Sequence, residues 1–89
     1  MVSETGWWVY MLECRDGSLY TGVAKDVDKR LAEHRKGTAS KYTRSRVPLS
    51  LVYREPTRTR SAALTREAQI KRLSRPGKLS LIAGQQKAP

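Results

Sequence analysis

The 89-residue sequence has no phenylalanine, one cysteine, few acids and no long apolar run, and each shortage narrows what it can be. A lone Cys14 excludes an internal disulfide and any multi-cysteine zinc site. It suits a reducing compartment, where a buried thiol packs as a small apolar residue. No stretch nears the roughly 18 apolar residues that a spanning helix requires. Residues 1–6 lack the basic-then-apolar pattern of a secretory leader, so the expectation is a cytoplasmic protein with no membrane partner. Without Phe, the large core side chains must be Trp, Tyr, Leu, Ile and Val. The length admits one domain with one modest core, placed at residues 7–83 between flexible ends at 1–6 and 84–89.

The scarcity of acid is regional. Residues 1–34 hold four Lys/Arg against six Asp/Glu, whereas residues 35–89 hold fourteen against two, Glu55 and Glu67. A half-chain this basic attracts polyanions, nucleic acid first among them, although a merely solubilising surface has the same composition.

Trp7–Cys14 is rich in aromatic and branched residues and predicts a buried strand; Arg15-Asp16-Gly17 is a turn signal, and Ser18–Val23 predicts the second strand of a hairpin. Asp26 is a good N-cap for a helix to about Lys36, with Gly37 placed to end it. Its inward stripe is Val27, Arg30, Leu31 and His34. Gly37–Pro48 reads as a polar, basic loop and Leu49–Arg54 as a half-buried strand. Ser61 opens a helix ending near Leu73, and Pro76 suits the first turn of a short last helix through Ile82. The order predicts an α+β domain around a three-stranded antiparallel sheet.

Turn length decides whether two tyrosines cooperate. A two-residue turn at Asp16-Gly17 points Tyr10 and Tyr20 to opposite faces. A three-residue turn with a left-handed Gly17 sets Leu12 opposite Tyr20 and Tyr10 opposite Gly22, so both phenols share a face. Local chemistry permits either. Arg30 and His34, four residues apart, project together from the first helix. Taken singly, Arg30 reads as a snorkelling side chain and His34 as the rim of the core. Glu67 is an acid in a basic half, on one helical face with Leu64, Ile70 and Lys71. A half-buried carboxylate calls for a cation, and a divalent metal or a nearby arginine would serve; Lys71 at i+4 would instead make an ordinary salt bridge. One carboxylate suits Mg²⁺ that keeps most of its waters and gains phosphate oxygens. Lys36, Lys41, Arg44 and Arg46 surround Tyr42 and Thr43, a mixture suited to a phosphate backbone and equally to a solvated loop.

Trp8-Val9-Tyr10 and Tyr20-Thr21-Gly22 resemble degenerate forms of the two triplets that name the GIY-YIG nuclease superfamily. Asp26–His34 resembles its first helix, and Glu67 matches its metal-binding glutamate. Asp-Gly-Ser-Leu-Tyr-Thr-Gly, Lys-Tyr-Thr-Arg and Ile-Lys-Arg-Leu-Ser-Arg look most like the small single-domain bacterial branch called UPF0213. That branch is similar to the catalytic domain of Slx-type structure-specific endonucleases. The resemblance covers about Trp7 to Ile82. It implies a three-stranded antiparallel sheet flanked by helices, with Tyr10 and Tyr20 on one face.

It also implies one-metal hydrolysis of DNA in repair or recombination. Glu67 would hold Mg²⁺ or Mn²⁺, and Tyr10 would serve as general base with its pKa lowered by Arg30 and the metal. Tyr20 and His34 would orient water and phosphate, and Gly22 would admit the substrate backbone. Lys25, Lys36, Lys41, Tyr42, Thr43, Arg44, Arg46 and Lys71 would contact DNA. Val23 stands where the excision-repair nuclease UvrC has a lysine after the second triplet, with Lys25 displaced from it. No asparagine lies between Pro76 and Ile82, and the zinc module of Slx-type nucleases is missing. Two other readings share these residues: a non-catalytic DNA or RNA binder on the same scaffold, and a nuclease subunit that needs a protein partner.

Overall fold

The computed structural model describes residues 6–86. Its elements run β1 (Trp7–Glu13), β2 (Leu19–Ala24), α1 (Val27–Lys36), α2 (Lys41–Arg44), β3 (Ser50–Thr57), α3 (Arg60–Lys71) and α4 (Arg75–Gln86). The strands form one antiparallel sheet in the order β2-β1-β3, the expected α+β architecture.

The β1–β2 turn is the three-residue form. Gly17 sits at φ 83°, in the left-handed region, and its N–H donates to the Cys14 carbonyl at 2.9 Å. The Asp16 carboxylate accepts from the Ser18 N–H at 3.0 Å and from the Ser18 hydroxyl at 2.6 Å, which fixes the loop. The register that results pairs Leu12 with Tyr20 and Tyr10 with Gly22.

Alternation along β1 then divides the core in two. Val9 and Met11 meet Tyr53, Ala63, Ile70 and Ile82, so α3 and α4 cover one face. Tyr10 and Leu12 meet Cys14, Ala24, Val27 and Leu49 under α1 on the other. Burying a side chain such as Ile70 completely contributes roughly 1.5–3 kcal/mol, so both faces hold the central strand. Cys14 is buried as a small apolar residue. The Thr21 hydroxyl, in the second triplet, is buried without a hydrogen-bond partner among the described residues.

The caps behave as their sequences predict. Asp26 accepts from the Lys29 N–H at 3.0 Å to start α1, and Gly37, at φ 81°, ends it. Thr59 accepts from the Ala62 N–H at 3.0 Å to start α3, one residue earlier than expected.

Three departures concern the second half of the chain. The expected loop 37–48 contains the short helix α2, capped by Ser40 and pinned by a buried Thr43. Strand β3 runs on to Thr57 through Pro56, tolerated because β3 is an edge strand. Helix α4 begins at Arg75 and takes in Gly84–Gln86, expected as tail. Its Gln85 carboxamide accepts from the Arg54 N–H and donates to the Arg54 carbonyl, so a side chain occupies part of the open edge of β3. The remaining residues of the expected flexible ends, 1–5 and 87–89, lie outside the described residues. No helix among the described residues is long and apolar enough to cross a membrane.

Candidate active site

The hairpin register puts Tyr10 and Tyr20 on the α1 face, their ring centroids 6.4 Å apart. Helix α1 delivers His34 against both, at 5.9 Å from the Tyr10 centroid and 5.0 Å from that of Tyr20. The Tyr10 hydroxyl lies 2.7 Å from His34 Nε2, and His34 Nδ1 lies 2.8 Å from the Thr43 hydroxyl. Tyr10, His34 and Thr43 are all at most 1% exposed. His34 is therefore no rim residue: it is wholly buried, with its two ring nitrogens on Tyr10 and Thr43. Thr43, expected as a DNA contact, is instead a buried support beneath the imidazole, because α2 turns it inward.

Gly22 lies under the tip of Tyr10. A Cβ there would stand 2.6 Å from the phenolic oxygen and 2.8 Å from Cζ. The missing side chain thus leaves room for the Tyr10 ring, as the three-residue turn predicts; the approach of substrate backbone was what the family resemblance implied. Burial pushes the Tyr10 phenol up to about 12, against the lowering expected from Arg30 and a bound metal. The Tyr20 phenol adds to the rise and Glu67 adds a smaller amount, while Arg30 pulls the other way. The Arg30 and Glu67 charges, from two different helices, thus act on the phenol in opposite senses.

Arg30 is held by Glu33 at 2.9 Å and by the Ala39 carbonyl at 3.4 Å. It shares an open groove of about 380 Å³ with Trp7, Val23, Lys25, Lys29 and Glu33. Lys25 lies over the Trp7 ring at 5.5 Å, and Arg60 from α3 stands at 5.9 Å. Lys29 was not singled out from sequence, although it follows Lys25 by one helical repeat across the Asp26 cap.

Glu67 has its side chain 18% exposed, with Lys71 Nζ at 3.3 Å from one oxygen. Lys71, read as a phosphate contact, sits on Glu67 because i+4 spacing on α3 brings them together. Among the described residues no three metal-ligating side chains cluster, so an all-protein cage is excluded there. A partly exposed single carboxylate fits a hydrated divalent ion that takes its other ligands from water and phosphate.

The basic loop divides into two groups. Arg46 donates to Asp16 at 3.1 Å and to the Tyr42 carbonyl at 2.7 Å, and it covers the Tyr42 ring at 3.9 Å. It clasps α2 to the hairpin turn instead of standing free for DNA. Tyr42 stacks on Tyr20, centroids 6.0 Å apart. Lys36, Lys41 and Arg44 are exposed and form no ion pair among the described residues.

Comparison with known proteins agrees with this geometry. Residues 6–80 match the family model described as the GIY-YIG catalytic domain. The chain belongs to the GIY-YIG family. This is a nuclease family that generally uses divalent metal ions, with DNA as the substrate the domain suggests. The chain is similar to the UPF0213 protein of Staphylococcus saprophyticus, with 51% identity over 76 residues, covering 85% of this chain and 93% of that protein. A UPF0213 protein of Staphylococcus aureus is 52% identical over 75 residues, covering 84% of this chain and 92% of that one.

Among solved structures, the UPF0213 protein of Bacillus halodurans shares 43% identity at a TM-score of 0.57, covering 86% of this chain and 82% of that chain. A protein of E. faecalis shares 34% identity at a TM-score of 0.64, covering 100% and 95%.

The environment of His34 has a consequence for stability. Burial first, and then the positive charge of Arg30, hold its pKa below the ordinary 6.5, with Glu33 opposing. The unfolded chain then binds a proton more readily than the native one, so stability falls as pH drops below about 6.5. Carboxylates titrate lower, near pH 4, which leaves this window to the single histidine. A melting temperature that falls between about pH 7.5 and 5.5, and a flatter profile in His34→Gln, are the expected results. A profile equally steep in the variant would contradict the assignment.

Proposed function

We propose that this protein is a metal-dependent endonuclease that hydrolyses DNA phosphodiester bonds, acting in repair or recombination. The reading is carried by one observation: the Tyr10 hydroxyl is bonded to the buried His34 imidazole on the face it shares with Tyr20. A phenol able to take a proton, a fixed guanidinium and a partly exposed carboxylate are the groups that attack of water on a phosphodiester needs.

Glu67 is the residue that would hold Mg²⁺ or Mn²⁺, which when bound supplies Lewis-acid stabilisation of phosphate charge. Tyr10 takes the proton of the attacking water. Arg30, held by Glu33 and Ala39, stabilises the extra negative charge on the phosphate. Tyr20, edge-on to His34 and stacked on Tyr42, limits the position of the phosphate. Lys25 and Lys29 in the groove, and Lys36, Lys41 and Arg44 beyond it, contact the DNA backbone. Such contacts give affinity that falls steeply with salt and reads little sequence.

The second reading, a DNA binder without turnover, draws on the burial of Tyr10 and its high pKa, which make it a poor base unless its own proton can leave. The test is cleavage of labelled duplex, single-stranded, flap and junction DNA with Mg²⁺, Mn²⁺ or EDTA. Nicking that requires the metal supports the nuclease. Salt-sensitive binding with no cleavage in either metal supports the binder, and cleavage gained only with a second protein supports a partner-dependent subunit.

A further inference from the structure

We propose that Thr43 is a positioning residue that fixes the tautomer of His34, leaving Nε2 bare to take the Tyr10 proton during cleavage. The inference rests on the nuclease reading above and concerns how its base is made effective.

Three polar contacts run in series: Tyr10 Oη to His34 Nε2 at 2.7 Å and His34 Nδ1 to Thr43 Oγ1 at 2.8 Å, both buried, and the Thr43 hydroxyl to the Ser40 carbonyl at 3.4 Å, partly buried. Each end of the series sets a direction. A phenol is a stronger acid than a neutral imidazole N–H, and an imidazole nitrogen is a stronger acceptor than a phenolic oxygen. The Tyr10 O–H therefore donates to Nε2. At the other end the Ser40 carbonyl can only accept, and the single Thr43 proton points to it, so Oγ1 offers lone pairs to Nδ1. Both ends require the proton on Nδ1, the less common tautomer of a free histidine side chain. Burial and Arg30 keep the ring neutral, so the imidazolium forms only transiently and gives its proton back readily.

This arrangement resolves the difficulty of a buried phenol. As the water oxygen bonds to phosphorus, its proton passes to Tyr10 Oη while the Tyr10 proton passes to Nε2, and no phenolate has to exist. The phosphorus–oxygen bond to the departing 3′ oxygen breaks with its electron pair on that oxygen, which takes a proton from solvent. The imidazolium, steadied by the Nδ1–H bond to Thr43, returns its proton through Tyr10 to solvent. With Thr43 absent, the ring would favour a proton on Nε2. That nitrogen would then donate to Tyr10 and could accept nothing.

The chain holds one histidine, so a long-range ¹H–¹⁵N spectrum reads this imidazole alone. The expected wild-type spectrum shows a protonated Nδ1 and a bare Nε2. Thr43→Val, nearly isosteric at this buried position, should move the proton to Nε2 and lower kcat by about 10²-fold, with DNA affinity unchanged. Thr43→Ser should restore both, separating loss of the hydroxyl from loss of packing. A wild type protonated at Nε2 would overturn the proposal, as would a folded Thr43→Val with the original tautomer and turnover. A wild type that cuts no DNA removes the nuclease reading and the catalytic relay together; an active Thr43→Val beside an active wild type removes the relay alone.

Discussion

Glu67→Gln is expected to lose DNA cleavage by at least about a thousandfold while still binding DNA. Metal-assisted stabilisation of phosphate charge amounts to several kcal/mol, and each 1.36 kcal/mol is tenfold in rate. No second metal-ligating cluster among the described residues can take over. Affinity measured in EDTA should hold or tighten, because the change removes one of the two acids of the basic half and releases Lys71 from its 3.3 Å pair. The fold should survive. An i,i+4 ion pair on a helix stabilises by only roughly 0.3–0.5 kcal/mol, Gln keeps the size of the side chain, and the buried anchors of α3 are Ala63 and Ile70. Cleavage retained by the folded variant in Mg²⁺ or Mn²⁺ would remove Glu67 from the mechanism. Equal loss of cleavage and binding would show that it shapes the DNA surface instead.

Glu67 stands out in the sequence because it is chemically isolated, an acid in a stretch of lysine and arginine on a face with Leu64 and Ile70. The same logic found Arg30 and His34, since polar groups on an inward stripe demand partners. What the sequence left open was set by contacts between distant segments. Turn chemistry allowed two hairpin registers, and the site exists only in the one with Gly17 left-handed. Helix α2 has four residues, too few for any periodicity to register, so Thr43 looked like one more hydroxyl in a basic loop. Its burial depends on His34, nine positions earlier. Arg46 likewise looked free for phosphate because its partner Asp16 lies thirty residues away. Local pattern reveals which residues are odd; only the packed chain reveals which of them are already satisfied.

Gly22→Ala should disable the enzyme through Tyr10, and in a form that a double-mutant cycle can isolate. The added Cβ would lie 2.6 Å from the phenolic oxygen and 2.8 Å from Cζ, closer than such atoms approach. The ring cannot swing freely, since Tyr10 is buried and its hydroxyl is bonded to His34. Overpacking of this kind costs roughly 1–3 kcal/mol of stability. The larger effect falls on cleavage, because displacing a reacting group by about 1 Å can cost about 10²-fold. In a Tyr10→Phe background the contact with the oxygen disappears while that with Cζ remains. The stability cost of Gly22→Ala should therefore shrink without vanishing, with a coupling of at least about 0.5 kcal/mol between the two sites. Cleavage, already lost with the Tyr10 hydroxyl, should fall little further. Additive stability effects, or a Gly22→Ala protein that melts and cuts like wild type, would mean that the Tyr10 hydroxyl does not rest on Gly22. The proton path from water to His34 would then have no fixed starting point.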